Sequence, residues 1–190
     1  MTRSFTNVYL IGPMGSGKTT IGQRLARRMG LEFLDCDQQL EQQTGASINL
    51  IFDVEGEEGF RQRETAMLKN LARRNKVLVA TGGGAILREE NRKLLRGTGL
   101  VVYLRTSVRQ QLRRLARDRS RPLLQTDDRA EKLARLAEER NPLYENLADI
   151  VFPALNRGLE TSTEALYQAI RKYLSEADEA GSEAGDGNKP

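Results

Sequence analysis

Histidine and tryptophan are absent from this 190-residue chain, and cysteine occurs once. Without histidine, imidazole acid–base chemistry and histidine metal sites are excluded, so a general base must be a carboxylate or something rarer. Cys36 alone cannot form an internal disulfide, which suits a reducing cytoplasm. Aromatic residues are only 5% of the chain, so stacking platforms for single-stranded nucleic acid are scarce. No apolar run approaches the roughly 20 residues that cross a bilayer. The opening MTRSFTNVYLIG meets a strand within a few residues, with no room for a secretory apolar region. The expectation is a cytoplasmic chain with no membrane partner. Neither an internal repeat nor an interdomain linker is visible.

What is present is charge, unevenly spread. Charged residues make up 29% and hydrophobic ones 38%, which fits one globular domain with a proper core. The net charge is +4, but the tail SEADEAGSEAGDGNKP (175–190) has five acids and one lysine. That tail carries −4, which leaves +8 on the body before it. A basic body suits nucleic acid, and it suits a small anionic substrate equally well. The tail has no apolar periodicity and is rich in glycine, alanine and acids, so disorder is expected there. One domain is expected over 1–174.

Along that domain, strand-like runs alternate with helix-like ones. NVYLIG, EFLD, KVLVAT, LVVYL and DIVF read as strands, about five in all. KTTIGQRLARRMG reads as a helix closed by Gly30, and Ser47 is a candidate N-cap for SINLIFDVEG. RAEKLARLAEERNPLY reads as helical until Pro142. The alternation predicts an α/β fold, a parallel sheet between two helical layers. In the simplest parallel order, the second strand lies beside the first.

Between the first strand and first helix stands Gly12-Pro13-Met14-Gly15-Ser16-Gly17-Lys18-Thr19, matching G-x-x-x-x-G-K-[ST] at every fixed position. Glycines let successive backbone N–H groups turn inward around anionic oxygens. Lys18 would meet the β- and γ-phosphates of a nucleotide, Thr19 would bind Mg²⁺, and the helix dipole adds to the attraction. The pattern identifies a nucleotide site. INLIFDVEG imitates the switch strand of a GTPase at Asp53-x-x-Gly56, but Ile48, Ile51 and Phe52 recur at helical spacing. The chain also lacks the N-K-x-D guanine motif. A nucleic-acid ATPase is the binding-type rival that the basic body suggests.

LDCDQQLE places Asp35 and Asp37 at the end of the second strand, where open α/β sheets bind ligands. One carboxylate would face a metal and the other an acceptor hydroxyl; alternatively, Asp37 only caps the following helix. FRQRE and ERNPLY supply Arg61 and Arg140, guanidiniums suited to a carboxylate, or else two solvated helix positions. ATGGGAI ends a strand with bare backbone that a ligand can approach, or forms a plain loop exit. RDRSRPLLQTDD is a basic, turn-prone interruption suited to a mobile lid.

In order and spacing, GPMGSGKTTIG, FLDCDQQLEQQTG, FDVEGEEGFRQRE, ATGGGAI, VVYL, RPLL and ERNPLYE resemble the shikimate kinase family, type I most of all, to about residue 153. The resemblance implies a three-layer αβα P-loop kinase fold of the nucleoside-monophosphate-kinase kind. It places a substrate-binding region over about 35–63 and a lid over about 115–128. It implies transfer of the ATP γ-phosphoryl group to the shikimate 3-hydroxyl, with Mg²⁺, by a monomer that has no nucleic-acid partner. Lys18, Asp37 and Arg121 match the catalytic positions. Gly15, Ser16, Gly17, Lys18, Thr19 and Thr20 match the nucleotide loop, with Arg114, Arg121 and Arg157 further along the nucleotide. Asp37, Arg61, Arg140 and the loop Gly82, Gly83 and Gly84 match substrate contacts, Arg61 and Arg140 on the carboxylate. Thr19, and Asp35 through water, match the metal positions. DVEGEEGF thereby belongs to the substrate region, not a switch. The rival enzyme reading is another small-molecule P-loop kinase acting on a sugar acid or a nucleotide.

Overall fold

The apolar run Val8–Ile11 forms β1, buried at every position, and β3 (Val77–Ala80) is buried likewise. Such unbroken burial is what a parallel sheet covered on both faces requires. A computed structural model describes residues 6–116, 128–154 and 158–183. Five parallel strands, with β2 (Glu32–Asp35), β4 (Leu100–Arg105) and β5 (Ile150–Pro153), line up in the order β2-β3-β1-β4-β5.

That order corrects one expectation. β2 does not pair with β1, because β3 lies between them, with Leu78 opposite both Val8 and Phe33. β3 is buried at every residue, whereas β2 is exposed or half-buried at three of its four. The more apolar strand takes the central place.

Helices α1 (Lys18–Met29) and α7 (Leu159–Glu183) cover one face, around Leu10, Leu25, Leu166 and Ile170. α2 (Cys36–Thr44), α3 (Ile48–Ala72), α4 (Glu89–Thr98) and α6 (Arg129–Leu147) cover the other, around Tyr9, Leu68, Leu95 and Tyr144. α5 (Val108–Leu115) starts at a capping box on Ser107 and Gln110. α1 ends at Gly30 in the left-handed region, and Ser47 caps α3 by accepting from the Leu50 N–H, both as expected. Adjacent strands β1 and β3 thus send their following helices to opposite faces. A crevice opens at their C-terminal ends, the place where such sheets bind ligands.

Three local features depart from the sequence reading. INLIFDVEG and the run after it form one kinked helix, α3, broken at Gly56 (φ 70°, ψ −175°), a conformation essentially reserved for glycine. α6 does not stop at Pro142 but continues to Leu147, because Tyr144 and Leu147 bury their side chains in the core. Pro142 removes one N–H from the ladder, and that packing outweighs the loss. α7 runs nine residues past the expected domain end at 174, since SEADEA holds no breaker before Gly181. Residues 184–190 of the acidic tail lie outside the described residues, as does most of the expected lid.

Candidate active site

The P-loop leaves β1 with Gly12, Gly15 and Gly17 all at positive φ. At Gly12 (φ 144°) a Cβ would stand 2.9 Å from the Leu104 carbonyl oxygen, so only glycine fits. Lys18 opens α1 and folds its ammonium back over the loop. It donates to the Gly12 carbonyl at 2.7 Å and the Pro13 carbonyl at 3.0 Å. Arg114, from α5, donates to the carbonyls of Gly15 at 3.0 Å and Ser16 at 3.2 Å. Burial pushes its pKa below the usual arginine value, with Arg113 adding to the shift. A cavity of about 430 Å³ runs beside this arginine past Thr20, Phe152 and Ser162.

Asp35 and Asp37 divide their work differently from one expectation. Asp35, not Asp37, caps α2: its Oδ1 accepts from the N–H of Asp37 at 3.1 Å and of Gln38 at 3.3 Å. Its Oδ2 accepts from the Thr19 hydroxyl at 2.7 Å, which joins β2's end to the P-loop helix. Asp37 lines the main cavity, about 560 Å³, together with Lys18, Thr19, Arg61, Glu64 and Arg140.

Arg61 and Arg140 come from α3 and α6 and are both buried, 6% and 7% exposed. Arg61 pairs with Glu64, itself 1% exposed, at 2.8 Å, and with the half-exposed Glu57 at 3.1 Å. Desolvation raises the Glu64 pKa above the usual carboxylate value, against the pull of Arg61 and with added push from Asp37. Among the described residues, buried Arg61 Nε, Arg140 Nε and Glu64 Oε1 have no hydrogen-bond partner. Two buried guanidiniums lining one cavity suit an anionic ligand.

The three glycines after β3 fit around these groups. A Cβ at Gly82 would lie 2.3 Å from Glu64 Oε1 and 3.3 Å from Asp37 Oδ1. One at Gly84 would lie 2.2 Å from Arg61 Nη2. Gly83 instead faces the P-loop backbone at ordinary distance, 3.4 Å from Met14 N. Gly82 and Gly84 therefore make room for the buried ion pair.

Of the residues expected from sequence, Lys18, Thr19, Asp35, Asp37, Arg61, Gly82, Gly83, Gly84 and Arg140 surround one cavity, with Gly15, Gly17 and Thr20 at its edge. Ser16 and Arg114 line the adjoining one. Arg121 and Arg157 lie outside the described residues. Two contributors were missed. Glu64 stands three residues after Arg61 within FRQRE, and its charge and spacing were the available signal. Tyr144, four residues after Arg140, donates to the Gly83 carbonyl, and nothing in the sequence marked that contact.

The model of the shikimate kinase family matches residues 14–179. A shikimate kinase of Vibrio parahaemolyticus is 54% identical over 170 residues, covering 90% of this chain and 96% of that protein. The solved structure of the Acinetobacter baumannii shikimate kinase in complex with shikimate superposes with a TM-score of 0.84. It is 46% identical and covers 91% of this chain and 94% of the other. A gluconokinase from Sinorhizobium meliloti shares the fold at a TM-score of 0.58 and 20% identity, covering 96% of this chain and 97% of its own.

Proposed function

The chain belongs to the shikimate kinase family, and from that premise we infer that it transfers the γ-phosphoryl group of ATP to the 3-hydroxyl of shikimate, releasing shikimate 3-phosphate and ADP. The observation that carries this reading is the buried pair of cations, Arg61 and Arg140, in the same cavity as Lys18 and Asp37. A carboxylated acceptor would take the guanidiniums, and a triphosphate would take the lysine. The reaction would then lie between them.

Phosphoryl transfer leaves little covalent work for the protein, so positioning and charge neutralisation supply the catalysis. In this reading Lys18 exchanges its two loop carbonyls for phosphate oxygens, and Thr20 and Arg114 flank the nucleotide. Arg121, and Arg157 toward the adenine, would extend that set. Asp37, next to Gly82 and close to Glu64, orients the acceptor hydroxyl and takes its proton late in the transfer.

Thr19 and Asp35 offer hard oxygen donors 2.7 Å apart, which fits Mg²⁺, an ion that commonly takes one or two protein oxygens with phosphate and water. Bound there, Mg²⁺ would neutralise charge on the phosphates. The cap to α2 fixes where the Asp35 donor stands. The same reading places the enzyme in the cytoplasm, where ATP is supplied and Cys36 stays a thiol, and has it act as a single chain.

The test is ADP release by the purified chain with ATP, Mg²⁺ and a panel of shikimate, gluconate and nucleoside monophosphates. Release should depend on shikimate. Comparable release with gluconate or a nucleoside monophosphate would overturn the assignment, and acceleration by nucleic acid would favour the ATPase rival.

A further inference from the structure

The Gly82–Gly84 loop has no side chains to hold it, and glycine backbone loses the most freedom on ordering. Its carbonyls do that work. The Gly82 carbonyl accepts from the Ala85 N–H at 3.2 Å and the Gly84 carbonyl from the Leu87 N–H at 3.0 Å, within a short 3-10 helix (Ala85–Leu87). The middle carbonyl, Gly83, accepts from the Tyr144 hydroxyl at 2.5 Å. With all three carbonyls already accepting, the N–H groups are what this loop offers a ligand most readily.

Tyr144 is well placed to act as a fixed post. It is 1% exposed, and its ring stacks on Tyr103 of β4 at 4.9 Å between centroids. The Tyr103 hydroxyl donates to Asn141 Oδ1 at 3.2 Å, on the same helix as Tyr144. Burial raises the Tyr144 phenol pKa well above its ordinary value, so the hydroxyl remains a donor at any working pH. Arg140 lies one turn earlier on α6, so one helix sets both a cation of the pocket and the loop facing it.

We propose that Tyr144 is a positioning residue for the acceptor substrate: through the Gly83 carbonyl it fixes the peptide that aims the Gly84 N–H and backs the Arg61 guanidinium. The peptide group is planar and trans, so holding the Gly83 oxygen in one direction points the Gly84 N–H in the other. Freed from Tyr144, that peptide can rotate, and the wall against which Arg61 rests moves with it. The substrate half of this proposal rests on the acceptor reading above.

Tyr144→Phe keeps the ring, its stacking and its burial, and deletes only the donor. Its effect is read in two ways. In steady-state kinetics the KM for shikimate should rise roughly three- to tenfold, the effect of one lost hydrogen bond, while the KM for ATP stays within about twofold. In amide exchange of the ligand-free protein, the Ala85 and Leu87 N–H groups, which donate to the Gly82 and Gly84 carbonyls, should exchange faster by a similar factor. A lower melting temperature with both readouts at wild-type values would overturn the proposal and leave Tyr144 a core residue. So would equal rises in both KM values, or faster exchange with an unchanged KM for shikimate. Failure of the wild type to phosphorylate shikimate would overturn the functional reading instead, and the exchange measurement would still decide whether Tyr144 anchors the loop.

Discussion

Adding one methyl group at Gly84 should be far more damaging than adding it one residue earlier. A Cβ at Gly84 would stand 2.2 Å from Arg61 Nη2 and 2.5 Å from its Cζ and Nη1, closer than nonbonded atoms approach. An arginine tip usually swings clear of such a clash. This one is held by Glu64 at 2.8 Å, with both partners buried. Either the buried pair breaks, at about 3–5 kcal/mol, or the loop shifts and gives up the Gly84 and Gly83 carbonyl bonds. At Gly83 the nearest atoms to a Cβ are Met14 N at 3.4 Å and the Gly12 oxygen at 3.6 Å, ordinary contacts, and φ is not in the left-handed region. Gly83→Ala should therefore be close to neutral for folding. For a chain of this size each kcal/mol moves the melting temperature by roughly 2–4 °C. Gly84→Ala should thus melt roughly 6–20 °C below Gly83→Ala. Thermal unfolding followed by circular dichroism, with both variants in the same buffer, measures the gap. Melting temperatures within about 2 °C of each other would show that Arg61 is not wedged against Gly84, and the account of the loop would fail.

Three further outcomes are expected. Arg61→Ala or Arg140→Ala should raise the KM for shikimate roughly ten- to a hundredfold, since charge-assisted bonds contribute ~1.5–3 kcal/mol each; the KM for ATP should barely move, and a parallel rise in both would sink the carboxylate clamp. Asp37→Asn should depress kcat more than nucleotide affinity, a split that initial-rate and nucleotide-binding measurements separate; unchanged kcat would remove Asp37 from the transfer step. Truncation after Ser175 should leave melting temperature and turnover unchanged, because Leu166 and Ile170 of α7 bury against the sheet before that point; a tenfold loss of activity, ~1.4 kcal/mol at the barrier, would give the tail a role at the site.

What the sequence disclosed was local. The P-loop spacing, the Gly30 stop and the Ser47 cap each depend on residues within a few positions of one another, and each stands where it was expected. Strand order was not legible, because pairing between distant segments is settled by which strand is apolar enough for the centre of the sheet. Pro142 misled for a related reason: a helix that buries Tyr144 and Leu147 in the core survives a local breaker. Asp35 and Asp37 sit two residues apart, and only backbone geometry decides which of them caps α2. Glu64 and Tyr144 stood inside the very segments FRQRE and ERNPLY, yet each works through another residue. Glu64 holds Arg61 and Tyr144 holds Gly83, and a role exercised through a neighbour has no motif of its own.

On the proposed reading, the charges buried in the pocket set its selectivity. Arg61 and Arg140 put two positive charges into buried surroundings, and Glu64 is the one buried carboxylate among the described residues that neutralises part of them. Glu57 reaches Arg61 only from the half-exposed side. A carboxylate ligand would offer both guanidiniums a partner of opposite charge. A ligand of the same shape without the carboxylate would leave both guanidiniums without that partner, and sites built to hydrogen-bond a group discriminate strongly against analogues that lack it. The sheet brings the P-loop and the glycine loop to one crevice, which any relative of this fold can do. On the proposed reading, the buried charges that α3 and α6 deliver into that crevice narrow it to a carboxylated acceptor.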